Sequence, residues 1–92
     1  MTVFVPTAFS PEKTGPQTNN GFRAVVNGEK TFHIEVYNRW GEKLWESDDK
    51  YAYWDGTFMG EDAQQDVYAW FITVTAYDGE EYTYEGTVTL LR

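Results

Sequence analysis

Val67-Tyr68-Ala69-Trp70-Phe71-Ile72-Thr73-Val74-Thr75-Ala76-Tyr77, then Asp78-Gly79, then Glu81-Tyr82-Thr83-Tyr84-Glu85-Gly86-Thr87-Val88-Thr89-Leu90-Leu91, is the stretch that decides the fold. Its period is two, the repeat of a half-buried strand. Trp70, Ile72, Val74 and Ala76 fall on one face of the first run. Tyr82, Tyr84, Gly86, Val88 and Leu90 share a face of the second, with Thr83, Glu85, Thr87 and Thr89 on the other. Both runs are rich in β-branched and aromatic residues, and Asp78-Gly79 between them is a tight-turn pair. The reading is a long β-hairpin whose register the alternation fixes.

Working outward, Phe32, Ile34 and Val36 alternate with His33, Glu35 and Tyr37 before Asn38-Arg39-Trp40-Gly41 breaks the pattern. The alternation resumes over 43–47, so residues 32–47 read as a second hairpin with a four- or five-residue loop. Residues 2–5 and 22–26 read as short strands, the first ended by Pro6. Residues 10–21 and 61–66 are polar and read as loops. No stretch has a helical period. About seven short strands separated by turn signals predict an all-β fold, an immunoglobulin-like antiparallel β-sandwich, with residues 1–92 as one domain.

Composition narrows the function. In 92 residues, four Trp, six Phe and seven Tyr supply core area that a small domain otherwise lacks. The chain has no cysteine, which excludes a thiol nucleophile and a Cys-ligated zinc site. A formal net charge of −8 and a pI near 4.4 repel phosphate backbones and argue against nucleic-acid binding. No apolar run is long enough to span a membrane. The first residues, Met1-Thr2-Val3-Phe4-Val5-Pro6, lack the pattern of a signal peptide, so an exported form would take its leader from upstream sequence.

Five motifs occur in an order that resembles one family. They are Val3-Phe4-Val5-Pro6-Thr7-Ala8-Phe9-Ser10-Pro11 with Phe22-Arg23-Ala24-Val25; Phe32-His33-Ile34-Glu35-Val36-Tyr37-Asn38-Arg39-Trp40-Gly41 with Leu44-Trp45-Glu46-Ser47; Trp54-Asp55-Gly56-Thr57 with Gly60; Val67-Tyr68; and Glu85-Gly86-Thr87-Val88-Thr89-Leu90-Leu91-Arg92. Together they resemble the gliding-motility-associated C-terminal domain, the type B sorting domain of the type IX secretion system. One departure stands out. Where the family has a loop rich in carboxylate and amide oxygens, this chain reads Glu12-Lys13-Thr14-Gly15-Pro16-Gln17-Thr18-Asn19, too poor in clustered oxygens for a hard cation.

The resemblance implies a non-enzymatic C-terminal secretion signal carrying an upstream cargo domain from the periplasm of a Gram-negative bacterium to the cell surface or medium. It also implies translocon partners that include an outer-membrane protein of the PorP/SprF type. An adhesin or carbohydrate-binding sandwich is the alternative, resting on the surplus of Trp and Tyr, and a structural spacer is a third reading.

The candidate recognition residues are Asn38, Arg39, Trp40 and Gly41, with Leu90, Leu91 and Arg92 of the last strand. Arg39 beside an exposed Trp40 is interface hot-spot chemistry, and the competing reading folds Trp40 back on the sheet with Arg39 stacked on an aromatic face. The last strand, if it lies at a sheet edge, could template pairing with another chain. Trp54, Asp55 and Gly56 read as a core plug followed by an Asx-turn, ahead of a sugar site. Asp78, Gly79 and Gly86 read as structural. Asp48, Asp49, Glu61, Asp62 and Asp66 read as a solvated face. His33 stands alone in the sequence on an outward strand position, so neither a triad, a metal site nor a cofactor is expected.

Overall fold

The computed structural model describes residues 1–11 and 21–91. The divergent loop at 12–19, most of the expected loop over 10–21, and Arg92 lie outside the described residues. Those described form no helix and nine strands: β1 (Thr2–Phe4), β2 (Ala8–Phe9), β3 (Val25–Asn27), β4 (Glu29–Tyr37), β5 (Lys43–Ser47), β6 (Thr57–Phe58), β7 (Glu61–Asp62), β8 (Val67–Ala76) and β9 (Glu81–Leu90). The fold is all-β.

The frame is a five-stranded sheet in the order β2-β9-β8-β4-β5. Its centre is the long hairpin, with Tyr68 opposite Val88, Trp70 opposite Gly86 and Ile72 opposite Tyr84. β4 pairs with the other side of β8, setting Val36 beside Trp70, Ile34 beside Ile72 and Phe32 beside Val74. The hairpin closes through a three-residue loop. Gly79 N–H donates to the Ala76 carbonyl at 3.0 Å, Ala76 N–H donates to the Glu80 carbonyl at 2.8 Å, and Gly79 takes φ +89°, where a side chain would be strained.

One face of this sheet is buried. Ile34, Val36, Ile72, Val74, Val88 and Leu90 are almost wholly inaccessible, packed under Phe22, Ala24, Val26 and Trp54. That cover consists of β1 paired antiparallel with β3, plus an isolated bridge between Phe22 and Trp54. The segment expected as one strand over 22–26 is therefore split, its Phe22 end bridging to Trp54 and its Val26 end pairing with β1. Lys50 adds a polar tie, donating to the Val26 carbonyl at 3.1 Å and pairing with Glu29 at 3.0 Å.

Two local features escape a period-two reading. β2 is only two residues long and runs parallel to β9, through bonds from Thr89 N–H to the Thr7 carbonyl and from Leu91 N–H to the Phe9 carbonyl, both 2.9 Å. β6 and β7 form a miniature hairpin whose second strand falls in the segment expected as a loop over 61–66. Its turn residues Met59 and Gly60 have φ +54° and +83°, the left-handed pair a two-residue hairpin requires.

Tyr82 and Tyr84 share the buried face yet remain about 40% exposed. Alternation gives the side of the sheet but not the reach of the cover. β2 flanks β9 only at Thr89 and Leu90, leaving the start of β9 at an open margin.

Candidate recognition face

The Asn38–Gly41 loop is shaped by Asn38. Its side-chain oxygen accepts from the N–H groups of Trp40 and Glu42, each at 2.9 Å, and its main-chain N–H donates to the Glu42 carbonyl at 3.0 Å. Gly41 at φ +85° lets the chain return to β5. With the backbone so fixed, Arg39 and Trp40 project. Trp40 is 74% exposed, and the Arg39 guanidinium lies 5.7 Å from its ring centroid.

Asp66 receives the other side of that guanidinium, with Arg39 Nη2 donating to Oδ1 at 2.7 Å. Val67 N–H also donates to Oδ1 at 2.8 Å, and Gln64 Nε2 to Oδ2 at 3.2 Å. These donors, the Val67 backbone foremost, hold the Asp66 carboxyl below its ordinary value. Its main-chain carbonyl accepts from Leu90 N–H at 2.9 Å. Asp66 thus joins the Arg39 loop to the last strand, one through its side chain and the other through its backbone. In the sequence Asp66 reads as part of a solvated face, because 27 residues separate it from Arg39.

Beside this junction the uncovered face of the sheet forms an open groove of about 810 Å³. Tyr37, Ala69, Phe71, Val67 and Thr87 line it, with Asn38, Arg39 and Gly41 at one end and Glu35 also contributing. Tyr37 and Phe71 meet edge to face at 5.5 Å, and Phe71 and Val67 are 42% and 45% exposed. Of the remaining recognition candidates, Leu90 is fully buried and Leu91 is 44% exposed at the end of β9. The open length of β9 is its earlier part, since β2 occupies the edge at Thr89 and Leu90.

The structural candidates sit elsewhere. Trp54 is buried, its ring 5.5 Å from Phe9 and 5.1 Å from Tyr68, and its Nε1–H donates to the Thr57 carbonyl at 2.9 Å. Asp55 Oδ1 accepts from Thr57 N–H and Oγ1–H at 3.1 and 2.6 Å, and Gly56 follows at φ +83°. Asp78 Oδ1 accepts from Glu80 N–H at 2.9 Å. Gly86 lies against the Trp70 ring: a Cβ there would stand 2.6 Å from Cζ2.

A second polar group occupies the outer face. His33 Nδ1 is 2.6 Å from Asp48 Oδ1, and Nε2 is 3.0 Å from Glu35 Oε2 and 3.5 Å from Glu46 Oε1. The Tyr37 hydroxyl donates to Glu35 Oε1 at 2.7 Å, and Lys43 Nζ lies 3.2 Å from Glu46. The hydrogen bond to Asp48 leads in raising the His33 pKa, and that from Tyr37 leads in lowering Glu35. The lone histidine of the sequence has three carboxylates around it. β4–β5 pairing supplies Glu46, and Asp48 follows just beyond β5.

These features define an all-β protein that presents a surface, with an aromatic-lined groove and a projecting Arg-Trp loop, rather than an enclosed pocket. Of the four Trp residues only Trp40 is exposed, which counts against the carbohydrate-binding alternative. Residues 3–90 match the model of the CHU_C type IX secretion signal domain. The chain belongs to that family, and its role is that of a type IX secretion signal, which implies export of a cargo handled by the translocon. Neither the curated proteins nor the solved structures searched gave a match. The family is not an enzymatic one. No helix among the described residues is long and apolar enough to cross a membrane.

Proposed function

We propose that the type IX machinery reads this domain through the groove on the uncovered sheet face together with the Asn38–Gly41 loop, and that Leu91, exposed just past the last strand, completes the recognised surface. The observation that supports this is the Asp66 junction, which sets Arg39 and the last strand against one exposed apolar groove. Exposed aromatic and arginine side chains on a rigid frame are the usual anchors of protein interfaces. The partner fitting the family is an outer-membrane protein of the PorP/SprF type. The domain spans residues 1–92, is not catalytic, and directs an upstream cargo through the periplasm and outer membrane of a Gram-negative bacterium to the surface or medium.

The test is a reporter carrying this domain at its C-terminus, expressed in hosts with and without a working translocon. The unaltered fusion is expected outside the cell only where the translocon works. Arg39→Ala, Trp40→Ala and Phe71→Ser are each expected to cut export about tenfold or more, the scale of losing a hot-spot side chain. Circular dichroism of the purified variants should show the fold intact. Wild-type export by all three folded variants would move the recognised face elsewhere on the domain.

A further inference from the structure

The period of β4 places His33 and Glu35 two residues apart on the outer sheet face, and the register of β5 sets Glu46 directly opposite Glu35. Two carboxylates facing each other across a strand pair repel unless a cation sits between them. The potential donor atoms of His33, Glu35 and Glu46 all lie within 4.8 Å of one another. The separations from Nε2 are 3.0 Å to Glu35 Oε2 and 3.5 Å to Glu46 Oε1. A zinc-type ion held tetrahedrally at about 2.0–2.2 Å from nitrogen and oxygen ligands keeps those ligands about 3.3 Å apart, and the two observed separations bracket that spacing.

The surroundings support the same donor set. Asp48, 2.6 Å from Nδ1, holds a proton on that nitrogen and turns Nε2 toward the two glutamates. A carboxylate behind a histidine is the usual partner of a metal-ligating imidazole. Tyr37 occupies Glu35 Oε1 and leaves Oε2 directed at the cluster. The three ligand side chains are 35%, 27% and 49% exposed, so a water can complete the shell. One nitrogen and two carboxylates suit a borderline transition ion, whereas Ca²⁺ wants six to eight oxygens.

We propose that His33, Glu35 and Glu46 form a surface site for a divalent transition-metal ion of the zinc class, with Asp48 and Tyr37 orienting the ligands. On binding, Nε2 presents its lone pair, any proton there passing to solvent. The Lys43 ammonium, 3.2 Å from Glu46 and 3.8 Å from Glu35, swings outward. One dication then does the electrostatic work that the imidazolium and the ammonium do together. The site borders the groove, sharing Glu35 and Tyr37 with its lining, but zinc binding is read without reference to export, so its failure and that of the sorting proposal are distinguishable.

The experiment is calorimetric titration of the 92-residue chain with ZnCl₂ near neutral pH, with CaCl₂ in parallel. Wild type is expected to show one saturable zinc site and no comparable calcium site. His33→Ala and Glu46→Gln should each weaken zinc at least about tenfold, and Asp48→Asn should fall within the roughly 10–100-fold range of an orienting residue. Thermal melts give a second readout: zinc should raise Tm in wild type and not in His33→Ala. Absence of a saturable site in wild type would overturn the proposal. Equal zinc binding by His33→Ala and Glu46→Gln would also overturn it, assigning the ion to other surface carboxylates.

Discussion

Trp54→Ala is expected to leave the domain largely unfolded at room temperature. The ring is 1% exposed and fills the space between Phe9 and Tyr68, where its removal opens a cavity that the sheet cannot collapse to fill. Deleting a buried Trp costs about 3–5 kcal/mol. The Thr57 carbonyl also loses its donor, at a further cost of about 1 kcal/mol. A domain's whole stability is about 5–15 kcal/mol, and a small one sits toward the low end. Trp40→Ala is the control, since its exposed ring contributes about 0.5 kcal/mol or less. Urea unfolding followed by circular dichroism measures both, and similar midpoints for the two variants would contradict the core assignment of Trp54.

Gly86→Ala comes second. Gly86 is absent from the residues with positive φ, so the added methyl meets no backbone strain and its effect is steric. It would sit 2.6 Å from Cζ2 and 3.0 Å from Cε2 of Trp70, a ring held between Val36 and β9. Overpacking of that kind costs about 1–3 kcal/mol. The displaced ring should also alter the near-ultraviolet dichroism. Gly79→Ala, whose Cβ meets open space, is expected to cost about 1 kcal/mol from backbone conformation alone and to leave the Trp signal unchanged. A Gly86→Ala protein as stable as wild type would mean that Trp70 has room to move.

These two residues also mark how far the sequence can be read. The alternation of Trp70-Ile72-Val74 with its partner strand gives the hairpin, its register and its inward face, because a one-residue slip would expose the whole core. It does not announce that Gly86 is the floor beneath Trp70, which needs the register and the ring orientation together. β2 and the β6–β7 hairpin are too short to carry a period. They form because Phe9 is drawn into the core and because Met59 and Gly60 accept left-handed backbone.

The recognition face was legible in part. Asn38-Arg39-Trp40-Gly41 is visible as a break in alternation, with Gly able to turn it. Asp66 and the groove were not, since they arise from segments brought together by tertiary folding. The same holds for His33: its neighbours Glu46 and Asp48 lie 13 and 15 positions away, and only the β4–β5 register brings Glu46 alongside.

The parallel pairing of β2 with β9 has a mechanical consequence. Because the two strands run the same way, tension applied from the residue 1 side against the residue 91 side slides them past each other along their length. The bonds Thr89 to Thr7 and Leu91 to Phe9 then share the load instead of parting one after another, as they would in an antiparallel pair peeled from its end. Pulled by its two ends, the domain is loaded in shear, the direction in which a sheet resists most, and its sheet would hold its shape under a pull that would unzip a simple hairpin.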